Sequence, residues 1–169
     1  MQETYTFRIL SNEEENFILE IKLPSNKSFL DFHKAIIEGL GYDKSLLTSF
    51  YLTNAEWEKQ QEITLIDMSE ESNSSLLRME DCLLKDFIAG ERSRLLFVFD
   101  FFFERAFNIE VIQNTQKDIQ EVLPLILKLE GTIPQQAQIP NIEEESLEDL
   151  MDNTFDEDIS FESLDDFEL

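Results

Sequence analysis

The stretch Arg94–Phe107, which reads RLLFVFDFFFERAF, places a single aspartate, Asp100, among six phenylalanines. A carboxylate in such surroundings could bind a metal ion or act as a general acid or base. It could instead accept hydrogen bonds from the backbone of a hairpin turn, or pair with Arg105. Since no second aspartate and no histidine accompanies it, the pattern favours the structural role. We treat Asp100 and Arg105 as interaction candidates.

The other reactive side chains are isolated along the chain. His33 is the one histidine and Cys82 the one cysteine, whereas a zinc site recruits several such ligands. The expectation is that both side chains are buried. The sequence also shows no glycine-rich phosphate loop and no nucleophile elbow. It therefore predicts no catalytic residue, no metal ligand and no cofactor.

An enzymatic alternative stays open, because folding can bring together acids that are distant in the sequence. In that alternative the protein is a metal-assisted hydrolase built on Asp100. Its further ligands would come from other elements: Asp31, Asp67 or Glu104.

The first part of the chain alternates strand and helix patterns. Residues Thr4–Leu10 and Phe17–Leu23 have the period of two that is typical of strands and predict an antiparallel hairpin. The period then changes, and Ser28 with Asp31 forms a capping box that predicts a helix over Ser28–Leu40. Gly41 follows at the position of a C-cap glycine.

The middle of the chain predicts further strands. The segments SFYLTN (49–54) and EITLIDM (62–68) are rich in strand-forming residues, and Trp57, a further interaction candidate, lies between them. Residues 77–90 suit a short helix that ends at Gly90. Residues 94–101 and 105–113 predict two more strands, with Phe101 facing the same way as Phe97 and Phe99. In residues 118–131, Pro124 leaves a short helix and an extended piece in competition. The fold class is α+β, a mixed and mainly antiparallel sheet packed on one principal helix.

The formal charge of −24 is unevenly distributed. Residues 129–169 hold 14 acidic and no basic side chains. This balance argues against direct binding to nucleic acid or to an anionic membrane, because both need lysine and arginine. The lack of a basic-then-apolar N-terminus, and of any apolar run near the roughly 20 residues of a spanning helix, leads us to expect a cytoplasmic protein.

The acidic C-terminal part also carries large apolar residues. The loop EGTIPQQAQIPN separates a domain over residues 1–138 from an acidic-apolar tail over residues 139–169. The tail could be a solvated segment, a segment that docks on the body or on a basic partner, or a mimic of nucleic-acid charge. Docking is the favoured interpretation, and Phe155, Phe161 and Phe167 (the tail phenylalanines) are its interaction candidates.

Several motifs in this order resemble a known family. They are FLDFHKAIIEGLGY, SFYL, FDFFFERAF and GTIPQQ, and together they span roughly residues 3–138. The chain resembles the plasmid open-reading-frame-three-like family, whose members are also described as insertion-sequence passenger proteins. The resemblance implies an α+β fold and a link to mobile genetic elements, but it supplies no reaction.

The chain departs from the family's aromatic-aspartate motif. Phe99, Asp100 and Phe101 match it, whereas its other marked positions hold different residues here: Phe102 for glycine, Phe103 for aspartate, Arg105 for tryptophan and Phe107 for histidine. A site made of two carboxylates and an imidazole would have lost two of its three polar groups. The sequence therefore favours a non-enzymatic interaction or regulatory module whose partner is a protein, and the acidic charge favours a basic partner.

Overall fold

The computed structural model describes residues 2–67, 75–117 and 123–137. Ten helices and strands carry the fold in the described residues: β1 (Gln2–Ser11), β2 (Ile18–Pro24), α1 (Phe29–Leu40), β3 (Ser49–Thr53), β4 (Lys59–Thr64), β5 (Leu77–Arg78), α2 (Leu84–Phe87), β6 (Arg94–Asp100), β7 (Arg105–Lys117) and β8 (Leu125–Glu130).

The eight strands form one mixed sheet in the order β5-β4-β3-β6-β7-β1-β2-β8. All neighbours are antiparallel except β4 and β5, which run parallel. The predicted hairpin of the first two strands and the predicted α+β class are confirmed. The division of the chain at residues 138 and 139 stays a prediction, because the tail lies outside the described residues.

One face of the sheet forms the core with α1. Cross-strand partners on this face are apolar from strand to strand, so Phe50 of β3 lies between Ile63 of β4 and Phe97 of β6, and Phe97 faces Phe107 of β7. The helix adds Phe32, whose ring lies 4.2 Å from the ring of Phe7 and 5.2 Å from that of Phe50. In the described residues, seven phenylalanines are among the largest fully buried side chains of this core.

The helix begins and ends where the sequence predicts. The Ser28 hydroxyl accepts the Asp31 N–H, and the Asp31 carboxylate accepts the Ser28 N–H, which completes the capping box. Gly41 follows in the left-handed conformation with φ of 70°, where a side chain would be strained. These local interactions stabilise the helix ends that packing alone would leave with unpaired N–H and C=O groups.

The helix predicted over residues 77–90 is largely wrong. The segment contains a two-residue strand, a 3₁₀ turn (Met79–Asp81) and the single turn α2. Tertiary pairing explains the difference, because the Leu84 N–H donates to the Lys27 carbonyl and the Phe29 N–H to the Cys82 carbonyl. These bonds hold Cys82 and Leu83 extended beside the start of α1 and override the local helix preference.

After Pro124 the chain is extended and forms β8, whereas residues 118–122 of the predicted segment lie outside the described residues. This strand pairs with β2 at one edge of the sheet, with a bulge at Leu127. The bulge lets Ile126 and Leu129, three positions apart, face the same side opposite Ile21 and Leu19. In the described residues no helix is both long and apolar enough to cross a membrane.

Candidate functional site

The turn between β6 and β7 exposes three consecutive phenylalanines. Phe101 is 46% exposed, Phe102 85% and Phe103 51%. We call these three residues the phenylalanine tip. Glu104 closes the turn with a positive φ of 53°, and the rings of Phe102 and Phe103 lie edge to face with centroids 4.8 Å apart. Adjacent large apolar side chains in solvent are typical of interaction sites.

Asp100 fixes the conformation of the tip. Its Oδ1 accepts the backbone N–H groups of Phe102 and Phe103, each at 3.1 Å. Its Oδ2 lies 3.6 Å from Nη1 of Arg105. The carboxylate thus makes both of the structural contacts considered from the sequence, and its acceptor capacity is directed into the protein.

Arg105 anchors the base of the tip. Its Nε and Nη2 donate to Oε1 and Oε2 of Glu13 at 2.6 and 2.8 Å, which is the bidentate geometry of a strong arginine–carboxylate pair. The guanidinium carbon also lies 4.7 Å from the centroid of the Phe99 ring. The side chain is only 7% exposed, and its hydrogen bond to Glu13 raises the pKa of the guanidinium further.

The same guanidinium holds residues 134–136 at the base of the tip. Its Nη1 donates to the Gln136 carbonyl at 3.0 Å and its Nη2 to the Gln135 carbonyl at 2.5 Å. The Tyr42 hydroxyl donates to the Pro134 carbonyl at 2.5 Å, and burial raises the pKa of Tyr42 to about 12. Arg105 therefore connects the β1–β2 turn, the base of the tip and residues 134–136.

A groove lies beside the tip and has a volume of about 370 Å³. Four apolar side chains that are partly in solvent form its walls, and they are listed here: Leu47, Ile66, Leu76 and Phe101. Glu62 also lines it, and its Oε1 accepts the Ser49 hydroxyl at 2.8 Å. Sequence reasoning missed this groove, because its walls come from three separate connections between the elements and no local pattern links them.

Trp57 lies at the other end of β6 from the tip. The Arg94 guanidinium packs over its indole ring at 4.9 Å, and the Arg94 side chain donates to the Ala55 carbonyl. Arg94 begins β6 whereas Asp100 ends it. The structure therefore does not bring Trp57 together with Asp100 and Arg105.

His33 and Cys82 are both buried. Nδ1 of His33 shares a hydrogen bond of 2.9 Å with the Thr48 hydroxyl, and burial followed by the charge of Lys34 lowers its pKa to about 4. Burial raises the pKa of the Cys82 thiol, so the thiolate, the reactive form, is disfavoured.

The acids considered for a hydrolase are not gathered into one site. Across residues 2–67, 75–117 and 123–137, no three His, Cys, Asp or Glu side chains are placed to bind a common metal ion. Asp31 caps α1, and Asp100 caps the tip. The tail phenylalanines Phe155, Phe161 and Phe167 lie outside the described residues, so their role stays a prediction.

Comparison with known proteins identifies the family of this chain and a similar solved structure. The model of the plasmid pRiA4b ORF-3-like protein family matches residues 3–160. The chain belongs to this family. No curated protein matches the chain. A solved structure similar to this plasmid pRiA4b ORF-3-like protein is the crystal structure of a protein of unknown function, MM3350, from Methanosarcina mazei Go1, with 16% identity and a TM-score of 0.59. That match covers 76% of this chain and 70% of the other, and at this identity it shows a shared fold.

Membership of the family gives the departures from its motif a structural meaning. Phe103 occupies the position that the resemblance assigns to a second aspartate, and it is exposed on the tip. Phe107 occupies the histidine position and is completely buried. Arg105, at the tryptophan position, stacks on Phe99. In this chain the motif therefore builds an apolar tip on a buried ion pair.

Proposed function

We propose that this plasmid pRiA4b ORF-3-like protein is a non-enzymatic interaction or regulatory module that binds a partner protein through the phenylalanine tip. The observation that carries the proposal is the exposure of Phe101, Phe102 and Phe103 on a turn whose polar groups are bonded internally. In this turn the Asp100 carboxylate is bonded within the chain, and the phenylalanine side chains are exposed to solvent.

The energetics of association favour such a tip. Burial of a phenylalanine side chain contributes about 1.5–3 kcal/mol, and a few aromatic anchors dominate the binding energy of many interfaces. The hydrogen bonds to Asp100 and the ion pair of Arg105 order the turn before a partner arrives. Preorganisation lowers the conformational entropy that binding must offset.

The charge of the chain supports a basic partner. With a formal charge of −24, the protein repels nucleic acid and anionic membranes and attracts basic proteins. We propose that the partner is a basic cytoplasmic protein. The family's description as a plasmid open reading frame supports a partner encoded on the same mobile element.

The alternatives have less support. A metal-assisted hydrolase needs Asp100 to face substrate, whereas both of its oxygens face groups of the chain. A nucleic-acid mimic would act through the tail, which lies outside the described residues.

The test is capture of partners on the immobilised full chain, followed by calorimetry with the purified partner. The variant Phe102→Ser/Phe103→Ser removes two rings of the tip. The matched control, Leu10→Ser/Leu127→Ser, removes two apolar side chains that are exposed elsewhere on the sheet.

At about 1.5 kcal/mol or more for each ring, the tip variant should bind roughly 100-fold more weakly. The control should bind within about threefold of the unmodified chain. A partner that binds both variants equally well would refute the proposed role of the tip.

A further inference from the structure

We infer that the groove beside the phenylalanine tip receives a cationic side chain carried on an apolar segment of the partner protein. This inference rests on the proposed interaction function and adds the chemistry of the partner. The occupant is a basic amphipathic peptide segment whose apolar residues contact the groove walls and whose lysine or arginine reaches Glu62.

The dimensions of the groove fit one or two side chains. Its volume of about 370 Å³ lies at the lower end of the range for sites that bind drug-sized ligands. Phe101 belongs to both the tip and the groove wall. The tip and the groove are therefore adjacent, and a partner segment that covers the tip would also contact the groove.

The walls require an apolar partner. Leu47 is 39% exposed, and Ile66 and Leu76 are about half in solvent. These side chains lie around a shared concave surface rather than scattered singly. Apolar side chains of a partner would remove this surface from water, at about 25 cal/mol for each Å² covered.

The floor requires a cation. Ser49 and Thr64 face each other across β3 and β4 in the groove, and Glu62 accepts the Ser49 hydroxyl. A neutral hydroxyl donor orients this carboxylate but leaves its negative charge in place. In a chain of net charge −24, a lysine or arginine is the complementary group, and the adjoining Phe101 ring adds a cation–π surface.

The experiment uses three small probes that share one apolar body and differ in charge. They are 4-phenylbutylammonium, 4-phenylbutanol and 4-phenylbutyrate. Binding to the full chain is followed by amide chemical shifts in two-dimensional ¹H–¹⁵N NMR spectra.

The ammonium probe should shift the amides of Leu47, Thr64 and Leu76 and bind at least about fivefold more tightly than the alcohol. The carboxylate should bind most weakly. Glu62→Gln should abolish the preference for the cation while keeping the alcohol's affinity. The control Glu38→Gln, on the exposed side of α1, should leave the preference unchanged.

The inference is overturned if the ammonium and alcohol probes bind equally, if Glu62→Gln retains the preference, or if the shifted amides lie away from the groove. The outcomes also separate the two proposals. If the groove shows no preference for the cation but partner binding still depends on the tip, only the groove inference is refuted. If the groove prefers the cation but the partner binds equally well without the tip phenylalanines, only the proposed function of the tip is refuted.

Discussion

Replacement of Arg105 by alanine should destabilise the protein far more than replacement of another paired arginine. Arg105 is almost completely buried and makes a bidentate pair with Glu13, two bonds to backbone carbonyls and a contact with Asp100. Arg8 has one comparable bond, to Glu20 at 2.9 Å, but its side chain is 46% exposed. The two arginines therefore make the same kind of ion pair with a glutamate, but one side chain is buried and the other is exposed.

The magnitude follows from what each removal leaves behind. Loss of one partner from a buried ion pair costs about 3–5 kcal/mol, because the remaining charge is uncompensated. Glu13 is 37% exposed, so water compensates it in part and the lower value, about 3 kcal/mol, applies. An exposed pair such as Arg8–Glu20 contributes about 0–1 kcal/mol.

The assay is urea denaturation of both variants, supported by thermal unfolding. Arg105→Ala should lower the free energy of unfolding by about 3 kcal/mol, which for a chain of this size is a fall in Tm of roughly 6–12 °C. Arg105→Lys should fall between the unmodified chain and Arg105→Ala, because an ammonium group cannot form the two parallel bonds.

The reasoning fails if Arg105→Ala and Arg8→Ala differ by less than about 1 kcal/mol. A double-mutant cycle with Glu13→Gln then identifies the reason. A coupling energy near zero would mean that the ion pair contributes nothing beyond its separate groups.

Three further predictions concern other parts of the chain. Because the pKa of His33 in the folded protein is about 4, below the ordinary 6.5, the unfolded chain binds the proton more readily. Stability should therefore fall by about 3 kcal/mol more in the unmodified chain than in His33→Gln as the pH drops from 7 to 4, as measured by urea titrations. Gly131→Ala should lower the free energy of unfolding by about 2–5 kcal/mol, because φ is +79° and the new Cβ would lie 2.0 Å from the Asn16 carbonyl oxygen. Gly41→Ala should lower it by only about 1–2 kcal/mol, because its Cβ would meet nothing within 4 Å. Equal losses for the two variants in urea denaturation would contradict this prediction. Replacement of the three tail phenylalanines by serine should shorten the lifetime of the partner complex in surface plasmon resonance without slowing association. If a chain ending at Pro140 kept full affinity and unchanged thermal stability, the tail would serve solubility alone.

The ends of α1 were predictable because their determinants are local. Ser28, Asp31 and Gly41 lie within a few positions of the bonds that they make, so sequence spacing suffices. The hairpin of β1 and β2 follows for the same reason, since its two strands adjoin one polar turn.

The candidate site was less predictable because its parts are distant in the sequence. Glu13, the partner of Arg105, lies 92 positions away in a turn with three consecutive glutamates, and nothing local selects one of them. Phe101 was expected to face the same way as Phe97 and Phe99. That expectation was wrong, because the register between β6 and β7 shifts between Val98 and Asp100 and the turn then carries Phe101 into solvent.

The position of β1 inside the sheet has a consequence for synthesis on the ribosome. This first strand lies between β2, its neighbour in the sequence, and β7, and the hydroxyls of Thr4 and Thr115 meet across 111 positions. The nascent hairpin of β1 and β2 therefore exposes an unpaired edge of β1 until β7 has left the exit tunnel. At about 5–20 residues per second this exposure lasts roughly 5–20 s, a period in which the growing chain depends on chaperones or on its own acidic residues to stay unaggregated.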